Sequence, residues 1–235
     1  MVPGYLSIFN CRLTSYNLLI LLHIRGKKRY IVLGSAGAIF EDNNRQIIKT
    51  PIKHDLRECS EEVVEVFKQI EYISEQCMSR EKLIYRTLPK NANILDCLAI
   101  TERGLHFPHH RLGNPIHIRD RWIKNAIDAI ILVHDHGVIY AGIGTRNFLV
   151  AEDLSIKLCD FAGSVIGDQA TLVEEKDRYR IAPRSPRTVK TDLFALGCLI
   201  YEISSGAHPY SEIEDLDEVA RLYAAQVFPP LDGFR

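Results

Sequence analysis

Residues 191–205 constrain this chain more than any other stretch. Leu193, Phe194, Leu196, Leu199, Ile200 and Ile203 leave almost no polar face. A helix that is apolar nearly all round has to be wrapped by other elements, so this one is expected to be a buried central helix. Gly206 and Pro209 end it, the first as a left-handed cap and the second as a residue that cannot continue a helix. The shell reads as helical too. Ile118, Trp122, Ala126, Ile130 and Val133 step along one face, and Gly137 supplies a stop.

The N-terminal half has a different rhythm. A β-rich run over 29–33 leads into Gly34-Ser35-Ala36-Gly37, then 38–41, the turn Asp42-Asn43-Asn44 and a strand over 46–49. These read as a three-stranded antiparallel meander. Residues 56–88 carry Val63, Val64, Phe67, Ile70 and Ile73 at helical spacing, and a break is expected near 77–79. Residues 94–100 and 105–107 read as further strands of the same sheet. The His-, Gly- and Pro-rich stretch 108–115 looks like a seam. The pattern therefore gives an α+β chain of two lobes: an extension over 1–28, a small sheet-bearing lobe over 29–107, a hinge over 108–115 and a larger helical lobe over 116–235.

Charge excludes some partners. Twenty-nine Lys and Arg against thirty Asp and Glu leave a net charge of −1, so no global field draws the chain to nucleic acid or an anionic membrane. Six scattered cysteines show no paired spacing, which fits reduced thiols in the cytoplasm or nucleus. The apolar run 18–22 is too short to span a bilayer and has no cleavage site after it. It is expected to form a strand or helix packed on the first lobe.

The chemistry lies in two short strands. Residues 156–159 run into Asp160-Phe161-Ala162-Gly163, an acidic residue at a strand end followed by an aromatic and two small residues that let the backbone turn. Thirteen residues earlier Asn147 precedes Phe148-Leu149-Val150. An Asn and an Asp at the ends of paired strands supply hard oxygens that can meet over one magnesium ion, with phosphates and waters filling the remaining positions.

At this point the sequence resembles the eukaryotic protein kinase superfamily over roughly residues 29–230. The stretch DLFALGCLIYEISSGAHPY is similar to the family's central-helix signature, in which the residue at Asp192 anchors the catalytic-loop backbone and Gly197 allows close packing. The resemblance implies ATP and Mg2+ as ligands, with a nucleotide site made by Gly34, Gly37, Ile39, Lys49 and Glu81 and a metal site made by Asn147 and Asp160. Gly34 and Gly37 resemble the second and third glycines of the phosphate loop, Val32 standing where the first would be. Ile39 resembles the residue over the adenine, and Lys49 the strand lysine that contacts the α- and β-phosphates. Glu81, followed by Ile84 and Tyr85, resembles that lysine's helical partner, although Glu65 and Glu71 compete for the role.

The pattern breaks at the catalytic loop. Counting back from Asn147, Gly142 occupies the place of the aspartate that takes the hydroxyl proton, Tyr140 that of the histidine, and Ala141 lies between them. No acidic residue lies between Tyr140 and Arg146 to replace it. Arg184 stands where the family has the glutamate of its A-P-E motif. The larger lobe looks truncated, ending at Arg235 before the family's last helices, so faces of 196–203 and 219–227 are expected to lose cover. Ser164 and Thr171 in the activation segment are ordinary loop residues or phosphorylation sites. Two readings stay open: a Ser/Thr protein kinase of very low activity, with proteins as substrates, and an inactive scaffold or binding module of the pseudokinase type.

Overall fold

The computed structural model describes residues 29–33, 36–42, 46–54, 56, 60–108, 118–172, 177–181 and 186–231. The extension 1–28, Gly34, Arg184 and all of the expected hinge except Pro108 lie outside the described residues. Strands β1 (Arg29–Leu33), β2 (Ala38–Glu41) and β3 (Ile47–Thr50) form the expected meander. With β4 (Ala99–Ile100) and β5 (Leu105–Phe107) they make a five-stranded antiparallel sheet in the order β1-β2-β3-β5-β4. Ile39 lies opposite Lys49, and Lys49 opposite Leu105, so the three side chains share one sheet face. The strand expected over 94–100 shortens to its last two residues, and Ile94 instead bridges to Leu158 in the other lobe.

Helix α1 (Glu61–Thr87) crosses beneath this sheet. It begins five residues later than the pattern suggests, and it runs unbroken through 77–79, where a break is expected. Cys77 and Met78 are buried there on the inward face with Ser74, Glu81 and Ile84. No Gly or Pro interrupts the segment, and burial of that face favours continuing the helix. Glu61 and Glu62 sit in its first turn, where carboxylates complement the helix dipole.

The second lobe is built on α2 (Arg119–Asp135) and α3 (Val189–Ser205), with α4 (Leu216–Ala224) against them. Two small antiparallel ladders complete it: β7 (Phe148–Val150) with β8 (Ile156–Leu158), and β6 (Val138–Ile139) with β9 (Val165–Ile166). Ala126, Ala129, Ile130 and Val133 of α2 pack against Leu196 and Leu199 of α3 and Leu158 of β8. Helix α3 starts at a reciprocal cap between Thr188 and Thr191 and ends at Gly206, whose φ of 81° is left-handed.

The central helix is not buried all round. Leu196 and Leu199 are covered, as are Val219 and Tyr223 of α4, while Val227 at the end of the second stretch is exposed, so the uncovered apolar surface coincides only in part with the expected one. It also includes Val189, Leu193 at 54%, Phe228 at 58% and Leu231 at 68% exposure. Exposed apolar patches drive association. The purified chain is therefore expected to bind a hydrophobic dye in its native state or to self-associate, and Leu193→Lys with Phe228→Lys to suppress this. A monomer without dye binding would contradict that expectation.

Candidate active site

Three charged side chains meet between the lobes. Lys49 projects from β3, and its Nζ lies 2.7 Å from Glu81 Oε2 and 2.7 Å from Asp160 Oδ1. Of the three glutamates that competed for the lysine, the structure pairs Glu81 with it. Glu71 instead meets Lys53 and His54. Glu65 is exposed on the first turns of α1. Burial works against the Lys49 charge, but Asp160 and Glu81 outweigh it and raise the ammonium pKa above its ordinary value. Burial pushes the Glu81 carboxyl up against the attraction of Lys49. Burial also acts to raise Asp160, yet Lys49 wins there and leaves that carboxyl below the usual range.

Asp160 is the open corner of the triangle, its side chain 44% exposed while Glu81 is buried. Its position follows from the β7–β8 ladder. Phe148 pairs with Leu158, and Cys159 N–H donates to the Asn147 carbonyl at 2.9 Å. Asn147 Nδ2 is spent on the Gly142 carbonyl at 2.7 Å, which fixes the amide and leaves its Oδ1 without a donor among the described residues. Asp160 Oδ1 accepts from Lys49 and from Ala162 N–H, which leaves Oδ2. Two hard oxygens on adjoining strand ends thus remain for a cation. Among the described residues no group of three or more His, Cys, Asp or Glu could hold a metal on its own. That donor set suits magnesium, which is usually held by one or two protein oxygens with phosphates and waters.

The hairpin glycine has a steric reason of its own. A Cβ on Gly37 would fall 2.7 Å from the Thr50 carbonyl and 3.6 Å from Lys49 Cε. The turn between β1 and β2 can press onto the lysine only if that position is glycine. Ile39 is half-buried on the neighbouring strand.

The loop leading to Asn147 is held from several sides. The buried Asp192 carboxylate accepts from Tyr140 N–H at 2.7 Å and Ala141 N–H at 2.8 Å, and pairs with His134 Nε2 at 2.9 Å. Ser164 Oγ donates to the Tyr140 carbonyl at 2.8 Å. Ser164 is fully buried, so in this conformation it is a structural donor rather than a phosphate acceptor. Ala141 and Asp160 have φ values of 56° and 60°, a left-handed conformation that costs about 1–3 kcal/mol for such residues and persists only where the surroundings over-determine it. Tyr140 stacks edge-on against Phe161 at 5.4 Å, Phe161 against Tyr85 at 5.2 Å, and Tyr85 meets Phe107 at 5.4 Å. The Tyr140 hydroxyl donates to the Cys159 carbonyl, fixing the residue before Asp160.

His134, Ser164 and the Tyr140 hydroxyl have no local sequence signal. Each acts on a partner 19 to 58 residues away. Gly142 lies in this loop, its carbonyl accepting from Asn147 Nδ2.

Residues 99–228 match the protein kinase domain family. That is more than half of the chain, which therefore belongs to this family. Among similar proteins are the dual specificity protein kinase TTK of Mus musculus, 25% identical over 137 residues, covering 47% of this chain and 15% of that protein. The serine/threonine-protein kinase PDK1 of Cryptococcus neoformans is 29% identical over 102 residues, 38% of this chain and 8% of that protein. The serine/threonine-protein kinase RUNKEL of Arabidopsis thaliana is 31% identical over 114 residues, 45% of this chain and 8% of that protein. The matched part is thus a small fraction of each relative's length. Among the described residues no helix is long and apolar enough to cross a membrane.

Proposed function

We propose that this chain binds ATP with magnesium in the cleft between its lobes, and that phosphoryl transfer to protein Ser/Thr hydroxyls is very slow. The observation that carries this reading is the Lys49–Glu81–Asp160 triangle, with both Lys49 contacts at 2.7 Å. Lys49 is held by Glu81 to meet phosphate oxygens. Gly34, Gly37 and Ile39 cover the nucleotide, and Asn147 Oδ1 and Asp160 Oδ2 hold the metal. When bound, the nucleotide and its metal supply the phosphoryl group and the charge that neutralises it. Domain bounds of 29–107 and 116–235, joined through 108–115, accompany this reading. The free thiols of Cys77, Cys97 and Cys159 suit an intracellular setting.

A second reading is favoured by Gly142. A site that keeps its cation ligands and lacks the acid–base carboxylate also suits a nucleotide-bound scaffold with a protein partner. Both readings need the nucleotide. ATP with magnesium at millimolar concentration is expected to raise the melting temperature, because a ligand that binds only the native state stabilises it by RT ln(1 + [L]/Kd). Asp160→Ala should remove the magnesium-dependent part of the shift. No shift in the unmodified chain would rule out nucleotide binding.

A further inference from the structure

One hydroxyl anchors the β1–β2 turn to α1. Ser74 is fully buried on the inward face of that helix. Its Oγ accepts from Ile52 N–H at 2.9 Å and donates to the Ala36 carbonyl at 3.0 Å. A single side chain thus ties three pieces of the small lobe: the helix, the segment leaving β3 and the turn between β1 and β2. Pro51 has no N–H, so Ile52 is the first residue beyond β3 with a main-chain donor to place. Ile52 is itself buried, and a buried donor needs a partner.

Packing reinforces the contact. Ala36 is buried with Cys77 of α1 and Ala162 of the loop after Asp160, and Leu172 packs on that cluster. Ser74, Cys77 and Glu81 follow one another at steps of three and four on one face of α1. Ser74 holds the turn, Cys77 packs under it, and Glu81 takes Lys49 and the Phe161 N–H. About 10 Å of continuous helix therefore sets the spacing between the turn, the lysine and the Asp160 loop.

A short turn containing glycine, left to itself, belongs to the parts of a fold that open most easily. If it is competent for its ligand only part of the time, the apparent affinity falls by that fraction. Space alone does not call for a hydroxyl at position 74, since alanine fills nearly the same volume. Alanine would instead strand two buried main-chain groups, and one of them, the Ala36 carbonyl, belongs to the turn.

We propose that Ser74 is a positioning residue for the nucleotide phosphates. It holds the β1–β2 turn on α1 in the orientation that receives them, so that the turn and the Lys49–Glu81 pair form one preorganised unit. This inference rests on the nucleotide reading above.

The test compares affinities for ATP with magnesium and for adenosine, which has no phosphate for the turn to hold. Ser74→Ala should weaken ATP–magnesium binding about 10-fold, the usual effect of a buried group left unpaired, and leave adenosine binding nearly unchanged. A general loosening of the lobe would weaken both alike. Ser74→Thr and Ser74→Val share a shape and differ by the hydroxyl, so any cost of the extra methyl is common to both. The Thr variant should bind ATP–magnesium about 10-fold more tightly than the Val variant. Without nucleotide, hydrogen exchange over 36–41 should quicken in Ser74→Ala, while exchange over 192–199 in α3 stays as it is. Equal ATP affinity of the Thr and Val variants, or parallel losses for ATP and adenosine, would overturn the proposal. An unmodified chain that binds no ATP would sink the nucleotide reading and this inference with it. ATP binding that is indifferent to position 74 would sink this inference alone.

Discussion

Gly142→Asp is expected to raise phosphoryl transfer to a generic Ser/Thr substrate by up to about 10²–10⁴-fold, the usual worth of a positioned acid–base group. The backbone can take the change. Gly142 is not among the glycines with left-handed φ. A Cβ there would lie 3.5 Å from Asn147 Nδ2 and 3.6 Å from Tyr140 Cε1, ordinary contacts. The bond from Asn147 Nδ2 uses only the main-chain carbonyl of residue 142 and survives the substitution. Restoring the family's histidine through Tyr140→His is a reasonable companion on sequence grounds, but the structure argues against it. The Tyr140 hydroxyl already holds the Cys159 carbonyl, and its ring already packs on Phe161. The single change should therefore match or exceed the double one. Lys49→Met in the restored background should remove the gain, since phosphate positioning and the base act as a unit. Ordinary turnover of about 1–100 s⁻¹ in the unmodified chain would show that another group supplies the base.

How much of this was legible in the sequence depended on how local each cause is. The Gly206 stop and the β1–β2–β3 meander rest on neighbours within a few residues, and the pattern carries them. Asn147 and Asp160 are suggested by their places at paired strand ends, whereas Lys49 stands out only through resemblance, because its meaning comes from partners on other elements. Glu81 could not be separated from Glu65 and Glu71 by spacing. Burial separates them, since only Glu81 lies on the part of α1 that passes under the sheet beside Lys49. The break expected at 77–79 reflects the opposite error, a local irregularity overruled by tertiary packing. Gly37 was assigned to phosphate approach, while its nearest steric demand is the Thr50 carbonyl. The partial exposure of α3 was hidden for a similar reason: an apolar composition says that a helix prefers cover, not which of its faces obtains it.

The same ion pair predicts a large loss of stability. Lys49→Met leaves Glu81 buried without its cation, and breaking a buried pair from one side typically costs about 3–5 kcal/mol. For a chain of this size 1 kcal/mol moves the melting temperature by roughly 2–4 °C, so a fall of about 10 °C is expected. The stranded group is the carboxylate, so Glu81→Gln added to Lys49→Met should recover a good part of the loss. Acidity should act in the same direction. Burial already pushes the Glu81 carboxyl up, and without Lys49 nothing opposes that push. A carboxyl whose folded pKa lies above its unfolded value binds more protons in the native state, so stability falls as pH rises through that window. The deficit of Lys49→Met against the unmodified chain should therefore shrink as pH falls through the raised range in which Glu81 takes up its proton. Asp160 adds a smaller change of the same sign. Its depressed pKa in the unmodified chain contributes stability present above the unfolded carboxylate value and lost as pH falls through the folded one, and Lys49→Met removes that contribution. A deficit independent of pH, with no rescue by Glu81→Gln, would mean that Lys49 stabilises the lobe by packing its alkyl chain rather than by holding the two carboxylates together.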